Sequence, residues 1–245
     1  MKPRLLLTGL IALFFTVTLQ AQGIYQFWGT TGNGGPDDLG AIFKTDGNGN
    51  QFQVKHKYTM SNHGANPGYT EMIEFQGKFY GLTINGGKFD KGVLFEWNPA
   101  NNEYSKKIDF SNDEGYYPYG SLTVFDGKMY GMTTKGGMYD GGVIFEWDPA
   151  NNGFSKKYDF SAANGFAPYG SLTLNGNIFY GMTSRGGIND GGVIFEWDPV
   201  SNNYSKKVDF QNGSNGRTPY GDLVLYNGKC YGMTTRGGIG GGGVF

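Results

Sequence analysis

Cysteine occurs once in the 245 residues, histidine twice and proline nine times, and neither sign of charge prevails. With Cys230 alone, an intrachain disulfide and a cysteine-based metal centre are both excluded. Cys230 takes a strand position held in other copies of an internal repeat by Phe79, Met129 and Phe179, so it reads as a packing residue rather than a catalytic thiol. The two histidines, His56 and His63, lack the i, i+4 spacing of a helical metal-binding pair. They read as a strand and a loop residue, with no catalytic role. Twenty Lys and Arg stand against 21 Asp and Glu, so the basic excess of a nucleic-acid-binding domain is missing and no nucleic-acid partner is expected. Charged residues are 17%, yet aromatics reach 16%, which excludes a disordered chain. The 44 glycines follow no three-residue period, which excludes collagen, and they make any helix costly. What remains is a turn-rich β chain with aromatic packing.

Residues 1–21 read as a secretory signal peptide. Lys2 and Arg4 precede an apolar run from Leu5 to Leu19, and Ala21 offers a small residue at the cut. The run falls short of the ~20 residues that a membrane span needs. Gln20 and Gln22 bound it on the polar side, so cleavage is preferred over a retained anchor. No cysteine lies near the cut for a lipid anchor, and no later stretch is apolar enough to span a bilayer. The expected mature chain is a single domain, residues 22–245, secreted or held at the cell surface.

That domain is one unit written several times. Gly120–Phe160 and Gly170–Phe210, offset by 50, are identical at 26 of 41 positions. Both carry Tyr-Gly-Met-Thr, a Gly-Gly pair, Asp-Gly-Gly-Val-Ile-Phe-Glu-Trp-Asp-Pro and Ser-Lys-Lys. An earlier copy carries Tyr80-Gly81 and Phe95-Glu96-Trp97, and a worn one carries Trp28-Gly29 and Gly40-Ala41-Ile42-Phe43. A last copy starts at Pro219-Tyr220-Gly221 and reaches Gly243-Val244-Phe245 in mid-motif. Periods of 20–50 residues signal solenoids, propellers or arrays.

Strand content decides among these. Leu122–Phe125, Met129–Thr134, Gly142–Trp147 and Phe154–Phe160 read as four short strands, with a hairpin at Asp126-Gly127 and an Asn-rich turn after Asp148-Pro149. Four antiparallel strands in about 50 residues make a propeller blade. Trp97, Trp147 and Trp197 are expected in the core. Gly81, Gly131, Gly181 and Gly232, each inside the second strand, are expected to admit a close neighbour, taken to be a ring from the adjacent blade. Lys156 and Lys157 fall on the outer edge strand.

With those strands in place, the unit resembles a kelch-type blade, although Phe154 and Tyr204 stand where kelch blades carry tryptophan. It is more similar to the Gloeo-Verruco (GloVer) tandem repeat of secreted bacterial proteins. That repeat's Tyr-Gly-x-Thr core appears at Tyr80, Tyr130, Tyr180 and Tyr231. The resemblance covers nearly all of the mature chain and implies an exported propeller, but no assigned activity comes with it. Full-length relatives often end in a sorting or anchoring domain, which is not seen in this sequence. The residues from 22 onward amount to roughly four and a half blades, against four to eight in a propeller. The expectation is therefore an incomplete ring truncated at its C-terminus, with closure of five blades by strand exchange between the termini as the alternative.

Candidate chemistry is sparse. A kelch-like copper oxidase would need more histidine ligands than His56 and His63 supply, and no cofactor is expected. Asp90, Asp140 and Asp190, with Asp38, recur in glycine-rich loops. They read as turn-closing side chains in preference to calcium ligands. Glu96, Glu146 and Glu196 alternate with apolar residues in a strand and read as structural acceptors rather than general acids. Lys135, Arg185 and Arg236 each precede a Gly-Gly pair, at positions held by Asn85 and Asn33 in other copies. If these loops share one face, the three cations and nearby backbone N–H groups could hold an anion or an acidic glycan. Ordinary exposed loop charge is the simpler account of them, and aromatic rings could equally serve as sugar platforms. The function expected is a non-catalytic, exported binding or display module with an unidentified extracellular ligand, a glycan or acidic polymer. The alternative is a carbohydrate-active enzyme or its accessory domain.

Overall fold

Glycine-bearing turns set the strand boundaries. Asp126 and Gly127 both take positive φ, 48° and 74°, the type I′ geometry that matches the twist of the strands they join. The computed structural model describes residues 25–59, 61–211, 215–238 and 243–244. The signal peptide expected at residues 1–21 lies outside them. Among the described residues the only helical segments are single 3-10 turns at Ser61–His63 and Pro67–Tyr69. The rest is strand and turn.

The first sheet holds β1 (Gln26–Thr31), β2 (Ala41–Asp46) and β3 (Gln53–Lys57). Three four-stranded antiparallel meanders follow. The first is β4 (Ile73–Phe75), β5 (Lys78–Thr83), β6 (Val93–Asn98) and β7 (Glu103–Asp109). The second is β8 (Thr123–Phe125), β9 (Lys128–Met132), β10 (Val143–Asp148) and β11 (Gly153–Asp159). The third is β12 (Thr173–Asn175), β13 (Ile178–Thr183), β14 (Val193–Asp198) and β15 (Asn203–Asp209). A last unit contributes β16 (Val224–Tyr226) paired with β17 (Lys229–Tyr231), and β18 (Met233–Thr234) paired with β19 (Gly243–Val244). The short first strands β8, β12 and β16 lie side by side, so they gather at a common axis with the lysine-bearing fourth strands outermost. This is a β-propeller arrangement of successive blades, with the Tyr130 strand inside the Trp147 strand.

The core lies between blades rather than within them. Tyr80, Leu82 and Leu94 of one blade pack on Met129, Phe145 and Trp147 of the next. One repeat later, Tyr130, Met132 and Ile144 pack on Phe179, Phe195 and Trp197. Trp97, Trp147 and Trp197 are fully buried, as their pattern predicts. The glycine expectation needs one correction. A Cβ on Gly131 would lie 2.5 Å from the Phe145 ring, and Phe145 is its own cross-strand partner, not a residue of the adjacent blade. Gly81 meets Phe95 and Gly181 meets Phe195 in the same way. For Gly232 the counterpart ring is Phe245, outside the described residues. The ring turns inward over the glycine because register places the two directly opposite, which spacing along the chain does not reveal.

A register shift recurs in the outer hairpin, between Ile144 and Phe145 and between Ile194 and Phe195. It leaves Lys157 as the extra residue of a bulge, bending the edge strand. Lys156 then pairs with Asp159 at 3.0 Å and Lys157 with Glu146 at 3.5 Å.

At the axis, blades are tied by a hydrogen-bond ladder. The Glu71 N–H donates to Ser121 Oγ (2.8 Å), the Ser121 N–H to Ser171 Oγ (2.9 Å) and the Ser171 N–H to Asp222 Oδ1 (2.5 Å). Thr123 and Thr173 donate their hydroxyls to the carbonyls of Leu172 and Leu223. Such closeness needs glycine, since a Cβ on Gly120 would lie 2.2 Å from the Gly170 carbonyl oxygen.

Candidate ligand-binding face

One threonine shapes the loop on each blade's face. Thr133 Oγ1 accepts the Val143 N–H at 3.1 Å and donates to the Lys135 carbonyl at 3.0 Å. Thr183 does the same between Val193 and Arg185, and Thr83 between Val93 and Asn85. Asp140 closes the loop by accepting the Gly136 N–H at 2.9 Å, and Asp190 accepts that of Gly186 at 2.8 Å. Both aspartates have positive φ, 52° and 49°. These contacts make them turn-closing residues, the role read from the sequence.

The loop is then stitched to the segment leading into its blade. Lys135 bridges Tyr116, Arg185 bridges Phe166 and Arg236 bridges Arg217. The three sequence-predicted cations therefore occupy equivalent places, but their side chains differ in company. Lys135 lies 3.8 Å from Asp140 and over the Phe166 ring, 5.4 Å from its centroid. Arg185 pairs with Asp190 at 3.1 Å. Arg236 makes no ion pair among the described residues, and its own repeat carries Gly241 where the others carry aspartate.

Arg185 and Arg236 line one cavity of about 360 Å³ together with Asp190, Arg217, Thr218 and Tyr220. Lys135 is not part of its wall. Sequence reasoning missed Arg217. The signal was available in alignment, because Arg217 stands where the neighbouring copies have Phe166 and Tyr116. The Gly186 N–H first, then Arg185 and Arg217, hold the Asp190 carboxyl below the usual range in spite of partial burial, so it stays ionised. Three arginines and one aspartate thus line the cavity, with Arg185 and Arg217 acting on the carboxylate. A larger cavity, about 410 Å³, sits between the first two blades beside Trp28 and Phe79. Its two lysines, Lys44 and Lys55, share the wall with Glu74, and no guanidinium converges there.

The other titratable groups are occupied by structure. Glu146 accepts from Tyr130 Oη at 2.8 Å and Lys128 Nζ at 2.9 Å. Burial would raise its pKa, but these two bonds and Lys157 outweigh that and keep it below the usual carboxylate range. Glu96 is held likewise by Lys78, Tyr80 and Lys107. His56 stacks on Tyr104, with centroids 4.4 Å apart and planes 2° from parallel, while His63 is exposed in its 3-10 turn. Cys230 is half-buried in β17 beside Met182 and Leu223, and burial pushes its thiol up.

The model of the Gloeobacter/Verrucomicrobia repeat matches residues 16–154 and 114–245. No curated protein matches the chain. Among solved structures, a chain of a nidogen/laminin complex is 13% identical with a TM-score of 0.49, over 70% of this chain and 57% of that one. The extracellular domain of the one-component system BT4673 from B. thetaiotaomicron is 10% identical, with a TM-score of 0.54 over 79% of this chain. This chain spans 24% of that domain's length. YjhT is 12% identical, with a TM-score of 0.50 over 86% of this chain and 74% of its own. Among the described residues no helix is long and apolar enough to cross a membrane.

Proposed function

Because the chain belongs to the Gloeobacter/Verrucomicrobia repeat family, and its repeats fold as propeller blades, we propose that it is a non-catalytic, exported binding module for an acidic polymer. The supporting observation is the cavity that Arg185, Arg217 and Arg236 line together with the single carboxylate of Asp190. Guanidinium groups present fixed forks of N–H donors that match carboxylate and sulfate oxygens two at a time. The chain as a whole is nearly neutral, with a formal charge of −1, so the attraction is local to this face. Lys135, one repeat away and next to Asp140, extends the positive track along the polymer. Export rests on the leader pattern of residues 1–21. A structural role for Glu96 and Glu146 is supported by the tyrosine and lysine that each of them accepts from.

The test is binding of alginate, a polyuronate, by the mature chain. Affinity should fall steeply with salt and vanish near 1 M, where the Debye length is about 3 Å. R185S/R217S/R236S should lose this binding while keeping wild-type thermal stability, and K135S should weaken it several-fold. Unchanged affinity in the triple variant overturns the proposal.

A further inference from the structure

Tyrosine recurs in two registers of the repeat, and the two sets are used differently. Tyr80 and Tyr130 are buried and donate their hydroxyls to Glu96 and Glu146. The second set, Tyr69, Tyr119, Tyr169 and Tyr220, stands just before the axial strands. Consecutive ring centroids lie 5.7, 5.0 and 4.8 Å apart, tilted by 76°, 49° and 69°, so the rings form a curved row around the axis. Tyr69 is 70% exposed and Tyr220 47% exposed. Among the described residues, no protein acceptor takes any of their four hydroxyl protons.

These rings wall a cavity of about 240 Å³ on the axis. Gly120, Gly170 and Gly221 line it with backbone alone, and Ser121 and Ser171 lie beside them. Both serine oxygens already accept a backbone N–H and keep their own proton to donate. Glu71 and Asp222 add carboxylate acceptors at the two ends. Lysine, arginine and histidine are absent from the wall.

We propose that this axial tyrosine row is a binding site for one uncharged pyranose ring of a saccharide. Aromatic walls offer an apolar surface to the C–H faces of a sugar, while phenol, serine and carboxylate groups exchange hydrogen bonds with its hydroxyls. An anion finds two carboxylates and no cation, so the acidic polymer of the arginine cavity is not its occupant. A purely apolar ligand leaves the polar groups unpaired. The volume lies below the ~300–1,000 Å³ typical of drug-sized ligands, which fits a single ring. Burial first, and neighbouring phenols second, push the Tyr119 and Tyr169 hydroxyls up, with Arg185 partly offsetting this at Tyr169. Tyr220 belongs to both cavities, so a mixed polysaccharide could place a neutral residue here and an acidic one beside Arg217. The proposal does not depend on the acidic-polymer reading.

The experiment titrates the mature chain with maltohexaose, cellohexaose, xylohexaose and chitohexaose, following heat and the tyrosine ultraviolet difference spectrum. At least one should bind saturably and perturb the tyrosine spectrum. Y119A should lower its affinity tenfold or more. Y119F/Y169F, which keeps the rings and removes two hydroxyls, should fold normally and lose several-fold. R185S/R217S/R236S should retain this binding while losing alginate, separating the two sites. The proposal is overturned if none of the four sugars binds, if Y119F/Y169F and Y119A both bind like wild type, or if tetramethylammonium displaces the bound sugar and binds more tightly.

Discussion

At Gly181 a hydrogen is all that fits, since the Phe195 ring lies 2.5 Å from where a Cβ would stand. Gly181→Val should therefore destabilise by about 1–3 kcal/mol or more, as overpacked cores do, read from urea unfolding. Trp147→Ala removes a fully buried indole and should cost roughly 3–5 kcal/mol. Wild-type stability in both would mean that the blade contacts are misassigned. His56 gives a pH-dependent case. Burial first, and His63 second, push it down to about 4 from an ordinary 6.5. In the unfolded chain it takes up a proton near 6.5, whereas the folded chain resists until about 4. Stability should therefore fall as pH drops through that window and be unaffected by His56 above it. His56→Phe keeps a ring against Tyr104 and cannot titrate, so its melting temperature should decline less between those two pH values.

Within a blade, the Thr133 hydroxyl holds the end of β9 to the start of β10. Thr133→Val should leave the buried Val143 N–H without its acceptor and cost about 1–3 kcal/mol, with Thr133→Ser recovering most of it. Elements of this kind were legible in the sequence, because local chemistry writes them. Asp126-Gly127 specifies its hairpin, and the Asp140 loop specifies its own closure. The four predicted strands around Tyr130 each fall within about two residues of the observed bounds. What was not legible depended on partners distant in sequence. Phe145 reaches Gly131 only through register, and Arg217 meets Arg236 through a bridge between separate segments. The row from Tyr69 to Tyr220 exists only once blades stand around an axis. Its period was visible in the chain, but a solvent-facing row and a core row have the same period.

Across the molecule, each blade leans on the next, and couplings should follow that order. Tyr80 and Trp147 belong to adjacent blades with centroids 5.5 Å apart. A double-mutant cycle of their alanine variants should give an interaction of about 0.5–3 kcal/mol, whereas Tyr80 with Trp197 should be additive. Additivity in both cycles would contradict a core shared between blades. The same repetition has a cost during folding. The strands β10 and β14 carry one identical sequence, Val-Ile-Phe-Glu-Trp-Asp, between near-identical neighbours. A chain that is still folding cannot tell its own β10 from its β14, or from those of another molecule, by local affinity alone. Topological order, and not side-chain identity, must therefore sort them. Repeat proteins fail in this way by domain swapping and misassembly. Refolding yield should drop as protein concentration rises, and the lost material should appear as intertwined dimers with a native far-ultraviolet spectrum. Replacing Ile194 and Glu196 together with Leu and Gln, so that the two strands differ, should restore the yield at high concentration.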